Sequence, residues 1–358
     1  MVKVPRKVIL AFAIILLLLV AVTIYLQYTA SQSSGPWVPT SSYPLQVDGT
    51  AGVLGQSCVT SSSSVYCIGG ENAAGDPNST VYSAPISPSG IGNWTAAQHP
   101  YPQTIMFESC VTYSSYVYCV GGTHNSAGND TTASYFAPVT TDGLGDWTVT
   151  SPYPVATDSQ SCVPSSGYVF CIAGENETSG TNATATSSDS VWYANLSSSG
   201  IGTWARTAAY PGGTSFPGCS GLGGYVYCVG GQDSSDNPVS STYYAAVSPD
   251  GLGAWTASTS YPIQVIAQSC TTASTYVYCV GGLVPGGTST ASVYYAGLSP
   301  SGIGAWQQGG SYATGLATTC VASSSNIYCV GGYDPSSGPT DDCFYAPINA
   351  NSTSSASS

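Results

Sequence analysis

The stretch SCVTYSSYVYCVGG, residues 109–122, recurs in related form six times along the chain. Each copy holds two cysteines nine positions apart, and the first cysteines of successive copies lie 50–57 residues apart. Repeats of this length are typical of folds built from one unit that cannot bury its apolar faces alone. The copies occupy residues 57–70, 109–122, 161–174, 218–231, 269–282 and 319–332.

Each repeat continues in the same way after its Gly-Gly. A polar loop of variable length leads to an aromatic run such as VYYAGLS (293–299), and in the first five repeats a glycine turn and a tryptophan follow, as in SPSGIGAW (299–306). β-Branched and aromatic residues favour strands, whereas Gly, Ser, Pro and Asn favour turns. Each repeat therefore predicts a sheet of four short strands, and six such sheets can bury one another's faces when they are arranged radially.

The two ends of the repeat region complement each other. The sixth repeat stops after CFYAPIN (343–349), without a glycine turn or a tryptophan, whereas WVPTSSYP (37–44) matches WTASTSYP (255–262) in order and spacing. An N-terminal strand that completes the last blade would leave no free edge. The alternative, a row of solenoid units, gives no reason for a divided repeat. We therefore expect an all-β, six-bladed β-propeller of four-stranded blades over residues 37–348.

Hydrophobic residues ending in Gly-Gly, a following aromatic residue and a spaced tryptophan resemble the repeat of kelch-type propellers. The resemblance covers residues 37–348 and implies the fold but not the function, because kelch propellers include both binding modules and enzymes. The paired cysteines and the Gly-x-Gly-x-Trp turn depart from the usual kelch pattern. The turn also partly resembles the Asp-box of sialidases, with Asp142 and Asp250 in the acidic position.

Twelve of the thirteen cysteines form pairs within the repeats. With a two-residue turn at 62–63, Cys58 and Cys67 face each other at a non-hydrogen-bonded site, where Cα atoms come close enough for a disulfide. The alternative, zinc, does not fit the C-x8-C spacing. The predicted bonds are Cys58–Cys67, Cys110–Cys119, Cys162–Cys171, Cys219–Cys228, Cys270–Cys279 and Cys320–Cys329. Such bonds indicate an oxidising compartment.

The thirteenth cysteine, Cys343, stands where the other repeats have Val, Thr or, in the second, Ser. Two interpretations stay open for this predicted free thiol. One is a buried, inert side chain, and the other is a disulfide to a second copy of the chain.

The N-terminal residues predict a membrane anchor. A basic stub (1–7) precedes an uncharged apolar segment (8–26) that is long enough to span a bilayer. The positive-inside rule then places the N-terminus in the cytoplasm and the propeller outside, as a single-pass protein of the cell membrane. A cleaved signal peptide, with Ala30 at the cleavage site, is the alternative. A linker (27–36) follows the apolar segment, and the Ser/Asn-rich tail (349–358) is predicted to be disordered.

Charge is scarce and one-sided. The chain has 17 acidic and 4 basic residues, and only Arg206 among the basic ones follows the apolar segment. This composition argues against a nucleic-acid partner, which needs a basic footprint. We hypothesise an acidic external medium, in which protonation would relieve repulsion among carboxylates. The alternative is a glycosylated surface protein without pH specialisation.

Seven Asn-x-Ser/Thr sequons occur, and most lie in predicted loops, where glycan acceptors are found. Asn93 precedes a tryptophan that is expected to be buried, so it is the least favoured acceptor. The candidate glycosylation sites are Asn78, Asn129, Asn176, Asn182, Asn195 and Asn351.

Six residues, each two positions before a first cysteine, are predicted to ring the mouth of the central channel. They are Gln56, Glu108, Gln160, Pro217, Gln268 and Thr318. A ring of amides with one carboxylate could bind a glycan or a protein on the face that carries the long loops. The alternative is a polar ring satisfied by ordered water.

Enzyme chemistry has few candidate residues. Arg206 alone cannot form the arginine cluster of a sialidase, and two histidines, His99 and His124, are too few for a copper oxidase. A glycosidase needs only two carboxylates, which Glu108 could form with Asp158 or Glu71.

We therefore expect a non-catalytic surface module for glycan or protein recognition, adhesion or envelope structure, without metal or cofactor. A carboxylate-based hydrolase and a self-assembling surface-layer or filament subunit are the alternatives.

Overall fold

The computed structural model describes residues 36–44, 52–61, 63–72, 74–125, 128–177, 185–312 and 317–348. Several predicted features lie outside these residues: the stub (1–7), the apolar segment (8–26), nearly all of the linker (27–36), the tail (349–358), Asn182 and Asn351. In the part of the chain that is described, no helix has the length and hydropathy needed to cross a bilayer.

The described residues form six antiparallel sheets of four or five strands, which are the blades of the predicted propeller, and two separate two-stranded hairpins. The first strand, β1 (Val38–Pro39), belongs to blade 6. Blade 1 holds β2 (Ser57–Ser61), β3 (Ser64–Ile68), β4 (Val81–Ser87), β5 (Gly90–Ile91) and β6 (Thr95–Ala96). Blade 2 holds β7 (Ser109–Tyr113), β8 (Tyr116–Val120), β9 (Ser134–Thr140), β10 (Gly143–Leu144) and β11 (Thr148–Val149).

Blades 3 and 4 follow the same plan. Blade 3 holds β12 (Ser161–Ser165), β13 (Tyr168–Ile172), β16 (Val191–Ser197), β17 (Gly200–Ile201) and β18 (Ala205–Arg206), with the hairpin β14 (Glu175–Glu177) and β15 (Ala185–Ser187) between its second and third strands. Blade 4 holds β19 (Gly218–Leu222), β20 (Tyr225–Val229), β21 (Thr242–Ser248), β22 (Gly251–Leu252) and β23 (Thr256–Ala257).

Blades 5 and 6 complete the ring. Blade 5 holds β24 (Ser269–Ala273), β25 (Tyr276–Val280), β28 (Val293–Ser299), β29 (Gly302–Ile303) and β30 (Gln307–Gln308), with the hairpin β26 (Leu283–Val284) and β27 (Thr288–Ser289). Blade 6 holds β31 (Ala317–Ala322), β32 (Asn326–Asp334) and β33 (Gly338–Pro347). Its outer strand is β1, with Val38 opposite Tyr345, so the divided repeat closes the ring as predicted.

Aromatic pairs join neighbouring blades at equivalent positions. A buried tyrosine from the connector before each inner strand packs edge-on against a tryptophan, with ring centroids 4.8–5.1 Å apart. The pairs are Tyr43–Trp94, Tyr101–Trp147, Tyr153–Trp204, Tyr210–Trp255, Tyr261–Trp306 and Tyr312–Trp37. Each such pair contributes about 0.5–1.5 kcal/mol beyond the burial of its area.

The six predicted disulfides are present. In every blade the two cysteines face each other across the first hairpin, with Cα atoms 4.0–4.1 Å apart. The bonds indicate that the propeller belongs to an oxidising compartment.

The two ends of the channel are built differently. On one face, which we call the long-loop face, the connectors bridge the loops after Gly-Gly, as Ser215 does with Gln232. On the other, the turn face, the serine-rich hairpin turns meet the glycine turns: Ile86 N donates to Ser63 O at 2.8 Å. The inner strands begin at the long-loop face.

Candidate functional site

The start of each inner strand lines a central pocket of about 280 Å³. The structure brings together the residues that the sequence placed in a ring: Gln56, Glu108, Gln160, Pro217, Gln268 and Thr318 all line this pocket and all are buried. Whether the ring binds a ligand stays a prediction.

The glutamines of this ring hold blades together. Gln56 Nε2 donates to Val330 O at 2.8 Å, and Gln160 Nε2 donates to Val120 O at 2.7 Å. Gln268 makes the same bond to the preceding blade. In each case the acceptor is the carbonyl just before Gly-Gly in the preceding blade. The amide nitrogens are therefore already used between blades, which the sequence pattern did not reveal.

Glu108 occupies the place of a glutamine in this arrangement. Glu108 Oε1 lies 3.2 Å from the position that a Cβ atom on Gly69 would take. In the equivalent contact of the neighbouring blade, Gln56 Nε2 lies 3.1 Å from the position of a Cβ atom on Gly331. A carboxylate has no hydrogen to donate, and the groups that stabilise its charge are the backbone N–H groups of Glu108 and Ser57. Burial raises the pKa of Glu108 to about 8. When protonated, Glu108 could donate to Ile68 O, the carbonyl equivalent to those that the glutamines bind.

Serine hydroxyls form a second ring of contacts between blades. The residue before each first cysteine is serine in four copies, and each of these hydroxyls accepts a hydrogen bond from the next blade's cysteine N–H. The bonds are Cys110 N to Ser57 Oγ (2.9 Å), Cys162 N to Ser109 Oγ (2.9 Å), Cys219 N to Ser161 Oγ (3.2 Å) and Cys320 N to Ser269 Oγ (2.8 Å). The recurring serine was a visible signal for this ring.

Gly218 interrupts the serine ring for a steric reason. A Cβ at this position would lie 2.6 Å from Cys270 Sγ. The pocket wall is therefore less regular between blades 4 and 5.

Two phenylalanines from blades 2 and 4 stand at the mouth of the pocket. The rings of Phe107 and Phe216 meet edge-on, with centroids 6.0 Å apart, and both residues have left-handed backbones, with φ of 55° and 53°. Ser159 links them, because its N–H donates to Phe107 O and its carbonyl accepts from Phe216 N. Left-handed geometry at bulky residues costs about 1–3 kcal/mol and gathers at functional sites. No repeated residue type marks these two positions in the sequence, because the equivalent positions in other repeats hold Gly55, Ser159 and Ala267.

Asp158 lies in a separate carboxyl network. Thr123 Oγ1 is 2.9 Å from Asp158 Oδ2 and 3.1 Å from Asp130 Oδ1. Since a hydroxyl carries one hydrogen, both contacts become hydrogen bonds only if one carboxyl is protonated. Burial, followed by the charge of Asp130, raises the pKa of Asp158 to about 7. Burial also raises the pKa of Glu71.

The remaining charged candidates lie at the surface. His99 Nδ1 is 2.8 Å from Asp146 Oδ1, and Arg206 is 3.3 Å from Asp189; the four side chains are between 41% and 89% exposed. Across the described ranges, no group of three or more His, Cys, Asp or Glu side chains is arranged to hold a metal ion.

The asparagines of the described sequons are either exposed or hydrogen-bonded to the backbone. Asn129 and Asn195 are exposed. The amide nitrogen of Asn78 donates to Gly70 O at 2.8 Å, and that of Asn176 reaches Glu175 O at 3.1 Å in its hydrogen-bonding orientation.

No family model matches the chain, and no curated protein matches it by sequence. Among solved structures, the chain is similar to one titled "Structure of YjhT", with a TM-score of 0.66 and 13% sequence identity, over 85% of this chain and 96% of that chain. At this identity the likeness concerns the fold alone, and the kelch-type assignment stays a prediction. The chain is a six-bladed β-propeller whose blades are disulfide-bonded.

Proposed function

We propose that this protein is a membrane-anchored, extracytoplasmic, kelch-type recognition module that binds a glycan at the long-loop mouth of its channel without transforming it. The disulfides support the compartment, and the apolar segment (8–26) supports the anchor. The observation that carries the proposal is the set of unpartnered buried acceptors in the pocket wall.

These acceptors define the ligand chemistry. The Oε1 atoms of Gln160 and Gln268 have no hydrogen-bond partner among the described residues, and the Glu108 carboxyl is met only by the backbone N–H groups of Glu108 and Ser57. Their ligand must bring donors, which a polyol has in number. Phe107 and Phe216 offer apolar surface to the C–H face of a sugar. The volume of about 280 Å³ is at the low end for small-molecule sites, which favours a single terminal sugar unit.

The test removes the two rings at the mouth. Replacing Phe107 and Phe216 by Gly deletes both rings and relieves their left-handed backbones, so the fold should persist. Ala267→Gly is the matched control, because Ala267 has the same conformation (φ 52°) in blade 5 but carries no ring.

Binding is measured by saturation-transfer NMR on the purified protein, with a panel of neutral methyl glycosides. We expect about tenfold weaker binding in the double variant and wild-type binding in Ala267→Gly. Equal binding in all three proteins would exclude the channel mouth as the site.

The raised pKa values of two carboxyls favour one alternative, a glycosidase. A carboxylic acid that stays protonated near neutral pH is suited to act as a general acid, and Glu108 and Asp158 both have pKa values of this kind. If the wild-type protein hydrolyses aryl glycosides and Glu108→Gln does not, the function is catalysis and not recognition.

A further inference from the structure

Blade 1 lacks aromatic rings that the other blades share. In blades 2 to 6 a second-strand ring stacks on a third-strand ring, with centroids 5.6–6.5 Å apart. These pairs are Tyr118–Phe136, Phe170–Tyr193, Tyr227–Tyr244, Tyr278–Tyr295 and Tyr328–Tyr345. In blade 1 the corresponding register places Tyr66 opposite Ser83.

A second ring is also missing there. Tyr116, Tyr168, Tyr225 and Tyr276 begin the second strands of blades 2 to 5 and add a third ring to each cluster. Ser64 begins the second strand of blade 1. Two serines thus stand where blades 2 to 5 have two aromatic side chains.

The hydroxyl of Tyr66 also behaves differently from its counterparts. In three other blades this hydroxyl crosses to a carbonyl of the next blade: Tyr118 to Ser197 O (2.9 Å), Tyr227 to Ser299 O (2.8 Å) and Tyr328 to Ser87 O (2.8 Å). The hydroxyl of Tyr66 makes no such bond to blade 2 among the described residues. Burial raises its pKa, and the side chain of Ser64, in its own hairpin, opposes this shift as a hydrogen-bond donor. The contact that draws neighbouring blades together elsewhere is thus directed away from blade 2.

These differences coincide with an open groove at the seam between blades 1 and 2. The groove has a volume of about 730 Å³ and opens on the turn face, away from the channel mouth. Ser64, Ser83 and Tyr66 line it on the blade 1 side. Tyr66 is 4% exposed, the most of the six second-strand rings at this position. The groove therefore occupies the space that aromatic side chains fill in the sister blades.

We propose that this groove is a carbohydrate subsite, in which one pyranose ring occupies the space of the missing aromatic side chains. The hydroxyls of Ser64 and Ser83 can exchange hydrogen bonds with sugar hydroxyls, and Pro85 and Val139 supply apolar walls for ring C–H groups. Asp142, at the rim, is an acceptor for further hydroxyls. The lining residues include no lysine or arginine, so an anionic ligand is disfavoured.

This subsite is independent of the proposed channel site, because it lies on the opposite face and uses other residues. The central test restores the stacked pair with Ser83→Tyr, which blades 3 to 6 accommodate at the same register. Tyr193→Phe is the matched control, since it keeps the ring in blade 3 and removes only a hydroxyl. Asp142→Ala is a second variant, at an exposed position where packing is not disturbed.

The measurement is saturation-transfer NMR on the full-length protein in detergent, with neutral methyl pyranosides and, separately, N-acetyltyrosine amide as an aromatic probe. We expect a pyranoside signal that weakens by about tenfold in Ser83→Tyr, weakens in Asp142→Ala, and persists in Tyr193→Phe and in the double Phe→Gly channel variant.

The subsite is overturned if the double Phe→Gly channel variant loses the whole pyranoside signal that the wild type gives. It is also overturned if Asp142→Ala or folded Ser83→Tyr binds pyranosides as the wild type does. A third contrary outcome is binding of the aromatic probe in place of the sugars. Loss of the channel signal alone would count against the proposed function and leave this subsite standing.

Discussion

Glu108 is the residue at which burial and chemistry conflict most clearly. Its pKa is raised from 4.5 to about 8, so the folded state holds its proton more tightly than the unfolded state does. The stabilisation from this group is complete below about pH 4.5 and is lost as the pH rises through about 8. At about 1.36 kcal/mol per pKa unit, the effect is on the order of a few kcal/mol.

Replacing Glu108 by Gln should remove this pH dependence, because the amide can donate as its counterparts in other blades do. We expect the free energy of unfolding to rise by about 1–3 kcal/mol at pH 8 and to change little at pH 4, as measured by urea titration. Gln160→Glu is the mirror control, with a loss at pH 8 and recovery at pH 4. Parallel pH profiles of wild type and Glu108→Gln would contradict the assignment.

Cys343 is a second residue whose role the sequence left open, between a buried, inert thiol and a disulfide to a second copy of the chain. The thiol is free and 2% exposed, and burial raises its pKa to about 12. A side chain so enclosed cannot reach a second copy while the protein is folded. We expect Cys343→Ser to leave the mass from light scattering unchanged under non-reducing conditions, and we expect the native thiol to resist alkylation until the protein is unfolded. A covalent dimer that Cys343→Ser abolishes would contradict this.

At the scale of single elements, the first hairpin of blade 2 turns through two serines with positive φ. Ser114 and Ser115 have φ of 45° and 63°, the conformation of a type I′ turn, which favours Asn-Gly. Replacing the pair by Asn-Gly should stabilise the protein by about 1 kcal/mol, with an unchanged m-value in urea. Blade 4, which already has Gly223 and Gly224 at these positions, provides the control: Gly224→Ala should be destabilising there.

The local structure around each sequon determines whether its asparagine is free to accept a glycan. Asn129 and Asn195 present exposed side chains, whereas the amide nitrogens of Asn78 and Asn176 are bonded to backbone carbonyls. If the source cell glycosylates the folded protein, intact-peptide mass spectrometry should show high occupancy at the first two and low occupancy at the second two. The reverse pattern would mean that glycans are attached before the propeller forms.

For the whole molecule, the balance of shifted carboxyls predicts that stability rises as the pH falls. Glu108 and Asp158 have raised pKa values, and their stabilisation is lost as the pH increases through about 7–8. Asp233 and Asp334 have lowered pKa values, which act in the opposite sense, but these groups are exposed and screened by solvent. Thermal melts of the protein from pH 4 to pH 8 should therefore show a falling midpoint. A midpoint that rises over this range would refute the hypothesis of an acid-adapted fold.

The repeats alone were enough to predict the blades, the six cysteine pairs and the strand that closes the ring. These features follow from local rules: strand periodicity, a two-residue hairpin turn that places Cys58 opposite Cys67, and a divided repeat that only a closed ring explains. Each rule acts within one repeat or between the chain's ends, so it can be read without knowing how blades pack.

The tertiary structure decided what the candidate sites contain. Gln56 finds its acceptor 274 residues away along the chain, so no local pattern could show that its amide is already bonded. The left-handed backbones of Phe107 and Phe216 are imposed by hydrogen bonds between blades. The groove beside Ser83 exists because blade 2 packs against a blade that lacks two rings. In each case the deciding contact joins blades that are separate in sequence, whereas the blades themselves are built from contacts within single repeats.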